Sequence, residues 1–186
     1  PPKRFGGMAL DANGNLYVAQ GSSPGIVSRF SPMGTYLGTF ATFGQGGNDD
    51  VVFDAAGNLY VNGYTENSVH RFSSTGSDLG AFVSVPNPDY MAFGKNGDFY
   101  VSSDTAGNNY VRHFSSTGQD LGTLTSGLSR PGGLAFDTAG NLYVTSRLNN
   151  SIHLFCSTGD DLGVFASSGL NDPLDLAFGP DGNLYV

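Results

Sequence analysis

The chain has 186 residues, among them 28 glycines, 9 prolines, 14 phenylalanines and 9 tyrosines, and only 13% of it is charged. This composition excludes disorder, a coiled coil and a helical bundle, and describes a turn-rich β protein with enough apolar side chains for a core. Eight basic against sixteen acidic residues leave a formal charge of −8 without any Lys/Arg cluster, so nucleic acid is not an expected partner.

In chain order, the first predicted strands are Met8 to Leu10 (strand a) and Leu16 to Val18 (strand b), joined by the turn Asp11-Ala12-Asn13-Gly14-Asn15. Val27 to Phe30 (strand c) and Leu37 to Phe40 (strand d) follow across a Ser/Gly turn. The set then returns. Phe53 to Val61 reads Phe-Asp-Ala-Ala-Gly-Asn-Leu-Tyr-Val, and Phe93 to Val101, Phe136 to Val144 and Phe178 to Val186 are further copies of the a–b block. The c and d segments recur as Val69 to Phe72 with Leu79 to Phe82, Val111 to Phe114 with Leu121 to Leu124, and Ile152 to Phe155 with Leu162 to Phe165. The turn glycines Gly14, Gly57, Gly97, Gly140 and Gly182 are 43, 40, 43 and 42 residues apart.

Short aromatic and β-branched segments bounded by Gly, Asn, Asp and Ser are strands joined by tight turns. Four per period of about 40–45 residues make propeller blades. The expected fold is therefore an all-β propeller in one domain over 1–186, with units near 6–48, 49–88, 89–131, 132–174 and a partial 175–186. The a–b and c–d links have constant length, whereas the b–c and d–a links vary. Any ligand site is expected at the end carrying the variable loops, because variable loops on a rigid frame are where binding chemistry concentrates. A ring of six such units needs roughly 250 residues, so four units and a two-strand stub are expected either to be part of a longer six-bladed chain or to leave open edges able to pair with another copy.

Gly133 to Val144 and Leu176 to Val186, each ending Gly-Asn-Leu-Tyr-Val, resemble NHL-type propeller repeats. These are bacterial repeats shared loosely with streptogramin lyases and the gluconolactonase-like family. The absence of tryptophan argues against WD-type blades. The resemblance implies a propeller; for function it implies a frame that serves both enzymes and binding proteins. A streptogramin-lyase-like enzyme implies histidine and glutamate with magnesium near the channel, and a gluconolactonase-like one implies Glu, Asn and Asp around a divalent metal. Neither set transfers residue by residue, since the only glutamate is Glu66.

The residues that break the repeat are the candidates for function. Four residues before each turn-opening Asp or Gly stand Gly7, Asp50, Tyr90, Gly133 and Asp175, and one earlier stand Gly6, Asp49, Asp89, Gly132 and Leu174. Asp49, Asp50, Asp89 and Asp175 thus reach the start of strand a, where carboxylates could hold a hard cation such as calcium or cap turns. Tyr64, Tyr90 and Tyr110 are expected in variable loops, and Tyr64 and Glu66 in the second b–c loop join the ligand set with Tyr90. Asp11-Ala12-Asn13-Gly14-Asn15 looks like a calcium loop but lacks its sixth-position glycine and terminal glutamate, so it reads as a hairpin turn. His70, His113 and His153 fall one per blade in strand c, with His113 one place out of register, and read as packing side chains. Cys156 replaces the serine of the other c–d turns and reads as a small turn residue; a lone cysteine excludes an intrachain disulfide.

From these residues the chain is expected to be a non-catalytic binding or structural module, not an enzyme, with no required cofactor and with calcium as the candidate ion. A protein or glycan is the expected partner. The alternatives are a divalent-metal-dependent lyase or lactonase-like enzyme with its site at the central channel, and an assembly subunit that completes a ring or polymer through open blade edges. No apolar run reaches the ~20 residues of a membrane span and no segment has the pattern of a signal peptide. Low charge with abundant Ser, Thr, Asn and Gly suits a secreted or cell-surface bacterial protein.

Overall fold

The computed structural model describes residues 5–21, 23–44, 50–105, 108–124 and 127–186. Asp49, one of the expected ligand residues, lies outside them. The chain divides into two compact units, Pro1–Asp89 and Tyr90–Val186.

In the first unit, β1 (Phe5–Leu10), β2 (Leu16–Gln20), β3 (Gly25–Phe30) and β4 (Tyr36–Phe43) form one antiparallel meander, and β5 (Val51–Phe53), β6 (Leu59–Gly63), β7 (Ser68–Phe72) and β8 (Asp78–Ser84) form another. β9 (Pro88–Phe93), which crosses the unit boundary, pairs with β10 (Phe99–Thr105), β11 (Asn108–Phe114) and β12 (Asp120–Leu124) of the second unit. There β13 (Pro131–Phe136), β14 (Leu142–Ser146), β15 (Ser151–Phe155) and β16 (Asp161–Ala166) make the fourth sheet, and β17 (Ala177–Phe178) with β18 (Leu184–Tyr185) make a two-stranded fifth. The predicted order a–b–c–d is thus the order in space.

Three of the a–b turns hold by one device. Asp11 Oδ1 accepts the N–H groups of Asn13 and Asn15, both at 2.9 Å, while Oδ2 accepts Asn15 Nδ2–H at 2.8 Å. Asp54 and Asp137 repeat it. Gly14 closes the turn at φ +76°, a backbone that side chains rarely adopt. These bonds consume the carboxylate, so the calcium-loop likeness is a hairpin.

Packing between sheets is aromatic. Tyr17 meets Phe40 of its own sheet and Phe53 of the next edge-on, both at 4.8 Å, and Tyr143 does the same with Phe165 and Phe178. Around these contacts Val27, Phe43, Leu59, Val61 and Phe72 form the core of the first unit. Leu134, Leu142, Val144 and Phe155 lead that of the second.

Strand a is longer than its apolar run predicts in three sheets, because irregular pairing carries β1 and β13 past a register shift, to Phe5 and Pro131, and β9 begins at Pro88. Tyr90 and Tyr110 accordingly lie in β9 and β11, not in loops, and only Tyr64 keeps its expected loop position. Among the described residues no helix is long and apolar enough to cross a membrane.

Candidate functional site

At the b–c end of the first unit, one buried side chain ties three segments together. Asn62 is the penultimate residue of β6; its Oδ1 accepts the Asp50 N–H at 2.9 Å, and its Nδ2 donates to the carbonyls of Pro88 and Asp89 at 3.0 and 2.6 Å. Asp50 and Asp89 are themselves buried. Asp50 Oδ1 accepts the N–H of Val51 at 2.8 Å, and its carboxylate lies so close over Gly7 that a β-carbon there would collide with it and with the Asp50 backbone.

The second unit contains the same contact. Gly133 sits under Asp175, whose Oδ1 accepts the Leu176 N–H at 2.8 Å. The Asp175 pKa is raised, first by desolvation of its carboxyl, with the Leu176 bond opposing, although the residue as a whole retains exposed surface. Tyr90, at the equivalent place in β9, instead donates its N–H to Ser102 Oγ at 2.9 Å. Thus Asp50 directly precedes β5 and Asp175 stands two residues before β17, each with one oxygen accepting the N–H of the residue that follows it. Among the described residues no three His, Cys, Asp or Glu side chains gather where one ion could bind them.

The b–c loops carry what the sequence reading passed over. Tyr64–Glu66 is a single 3-10 turn, entered at Gly63 and left through Asn67 in the left-handed region at φ 54°. It turns Glu66 back on the strand that follows, so that Oε2 meets His70 Nε2 at 3.0 Å. The Glu66 carboxylate also lies against Gly44, where a β-carbon would clash with it. The Phe43 ring is 6.1 Å from the imidazole, centre to centre. His70 Nδ1 is buried without a hydrogen bond, 3.9 Å from Asp78 Oδ1. His70 and Glu66 keep side-chain exposures of 19% and 24%, so the carboxylate is the more accessible half of the pair. The signal for this pair was the i, i+4 spacing of the sole glutamate and a histidine.

The other histidines behave differently. His113, opposite Tyr100 where His70 and His153 face valines, leaves the other side of its sheet as predicted. There it stacks on Tyr100 at 4.3 Å and pairs with Asp98 at 3.0 Å. His153 is buried, with Gly127 against its ring. Cys156 lies in a c–d turn, its sulfur 2.8 Å from Thr158 Oγ1.

A second unnoticed pattern braces this end of the sheets. Asn87, Arg130 and Asp172 all have positive φ and all precede a proline. Their N–H groups are accepted by Asn67, Asn109 and Asn150 Oδ1 at 2.9, 2.9 and 2.8 Å. In the second unit Arg147 adds a two-pronged pair to Asp172, at 2.9 and 3.2 Å. That bond is the first cause holding the Asp172 carboxyl below its ordinary pKa.

No protein-family profile matches the sequence, and no curated protein matches it by sequence. Solved structures do match. Virginiamycin B lyase from Staphylococcus aureus is similar at a TM-score of 0.78 and 16% identity, covering 97% of this chain and 61% of its own. A catalytically inactive variant of that lyase with quinupristin gives 0.78 and 16%, covering 98% and 62%. A candidate gluconolactonase gives 0.77 and 20%, covering 96% and 69%. The fold is therefore the β-propeller expected, and the chain spans about three fifths of the length of the lyases it matches. The expectation of a chain that is not an enzyme is corrected here: the matches with this fold include a lyase and a candidate gluconolactonase, so the frame is one on which active sites are built.

Proposed function

We propose that the chain is part of a propeller enzyme of the lyase or lactonase class, and that Glu66 transfers the proton with His70 positioning it. The observation that carries this reading is the Glu66–His70 contact of 3.0 Å at the variable-loop end of the first unit. A lyase needs a base to take a proton from carbon as the leaving group departs; a lactonase needs one to take a proton from the water that attacks the ester. A carboxylate held by a histidine can serve either, and positioned acid–base groups of this kind contribute about 10²–10⁴-fold in rate. Since Nδ1 of His70 is buried and Glu66 is the more open partner, the substrate meets the carboxylate and the imidazole stands behind it. We assign a substrate contact to Tyr64, on the same 3-10 turn, while Asp50 and Asp89, whose backbones Asn62 ties together, hold the loops from behind.

The test is turnover of quinupristin and of gluconolactone by the purified protein, with and without magnesium or calcium, beside Glu66→Gln. The reading predicts that one substrate is consumed above background and that Glu66→Gln slows it by at least about 100-fold at unchanged thermal stability. No turnover of either, or turnover indifferent to Glu66, would overturn it.

A further inference from the structure

The opposite end of the sheets, where the a–b turns lie, holds a feature that the acid–base pair does not use. In the second unit a cavity of about 540 Å³ opens beside three successive a–b turns, within the size range of small-molecule sites. One wall repeats: Phe93, Phe136 and Phe178, the last residue of strand a in the third, fourth and fifth sheets, all line it. Two of these rings are fixed from behind, Phe136 edge-on to Tyr100 and Phe178 edge-on to Tyr143, both at 5.1 Å. The wall is therefore preformed.

The rim departs from the repeat where it borders this space. The first two turn positions are Asp11-Ala12 and Asp54-Ala55 in the first unit, but Gly94-Lys95, Asp137-Thr138 and Gly179-Pro180 around the cavity. Both turns that lose the leading aspartate keep a carboxylate further along, away from the lining: Asp98 pairs with His113 and accepts from Asn96, and Asp181 accepts from Asn183 and Tyr185. The one lining carboxylate, Asp137, is spent on the N–H groups of Ala139 and Asn141 and on Asn141 Nδ2. Lys95 is exposed and makes no ion pair among the described residues. Its stem reaches toward the next turn, with Cδ 4.0 Å from where a β-carbon of Gly140 would stand.

We propose that this cavity is a second ligand site, for a small aromatic anion whose ring lies against the three phenylalanines and whose charge meets Lys95. An aromatic face offers stacking area, and an ammonium at the rim that makes no ion pair of its own among the described residues is free to meet the ligand's charge.

The test uses 8-anilinonaphthalene-1-sulfonate as the probe, titrated calorimetrically into the purified protein. One saturable site per chain is expected. Lys95→Glu should weaken it at least about tenfold, and Thr138→Trp, which fills the cavity from an exposed turn position, should abolish it, with both variants melting like the wild type. Thr75→Trp, on a c–d turn of the first unit, and Glu66→Gln should leave it unchanged. Absent or unsaturable binding, or binding indifferent to both Lys95→Glu and Thr138→Trp, would overturn the proposal. Because Glu66→Gln is a silent control here and the decisive variant in the turnover assay, the two readings fail independently.

Discussion

The b–c loops of the second and fourth sheets have nearly one backbone and two chemistries. Tyr64–Glu66 is entered at φ −113°, ψ 87° and left at φ 54°; Arg147–Asn149 is entered at φ −114°, ψ 90° and left at φ 50°. Both are followed after the left-handed asparagine by Ser, a β-branched residue and His. Yet the last residue of the 3-10 turn is Glu66 in one loop, paired with His70, and Asn149 in the other, donating to the Gly127 carbonyl at 2.8 Å. His153 is left buried with Nδ1 unbonded, while Arg147, on the same turn, pairs with Asp172. Equal backbones therefore do not make equal sites. The frame delivers a position four residues before a strand-c histidine, and the side chain put there decides whether it holds an acid–base pair or a structural tie.

The largest expected effect would break this comparison directly. Glu66→Gln should cost at least about 100-fold in turnover, whereas Asn149→Asp, which places a carboxylate at the equivalent point of the other loop, should leave turnover within about twofold of wild type. Matched kinetics of the two variants check it.

Next in size is the contact found under Asp50 and Asp175. Gly133→Ala would push a β-carbon into the Asp175 carboxylate and backbone, and such overpacking costs about 1–3 kcal/mol. Denaturant unfolding should show the loss, and Gly34→Ala, where nothing lies within 4 Å, should show only the smaller strain of its positive φ.

Asp137→Ala removes the acceptor of three turn hydrogen bonds, expected to cost about 1–2 kcal/mol at neutral pH. Burial pulls the Asp137 carboxyl up, but the bonds from Asn141 and the turn N–H groups together hold it below 3.8. Its contribution is therefore complete above the unfolded pKa and is lost as pH falls through the lower folded one. The gap between wild type and variant in a melting series should close in acid.

The smallest effect has the opposite sign. Asp175 is raised above 3.8, so the folded state binds its proton more tightly than the unfolded chain does. The resulting penalty is absent below the unfolded pKa and grows as pH rises through the folded one. Asp175→Asn, which can still accept the Leu176 N–H, should melt slightly higher than wild type at neutral pH and no higher below about pH 3.8. A higher-melting variant at low pH alone would contradict the assignment.

The repeat made most of the fold legible, because a strand's period of two and a turn's need for glycine and aspartate are written in neighbouring residues. Gly14 and Asp11 could be assigned to a hairpin without coordinates. The candidate site was less legible because it depends on directions that side chains take after the chain turns. Glu66 stands out in the sequence as the sole glutamate, but only the 3-10 turn aims it at His70, which by pattern alone reads as packing. Tyr90 breaks the repeat and so reads as a loop residue, yet β9 begins at Pro88 and carries it. The prolines Pro88, Pro131 and Pro173 recur at 43 and 42 residues, but the positive φ of the residues that precede them is not written in that spacing. Their partner asparagines lie about 20 residues upstream, a spacing that only the blade geometry explains.

The central claim is that Glu66 and His70 act as one unit, and groups that act as a unit do not lose activity additively. The measurement that tests it most directly is the turnover of the double variant Glu66→Gln/His70→Asn. The account predicts a rate within about threefold of Glu66→Gln alone; a rate lowered by the product of the two single losses would contradict it.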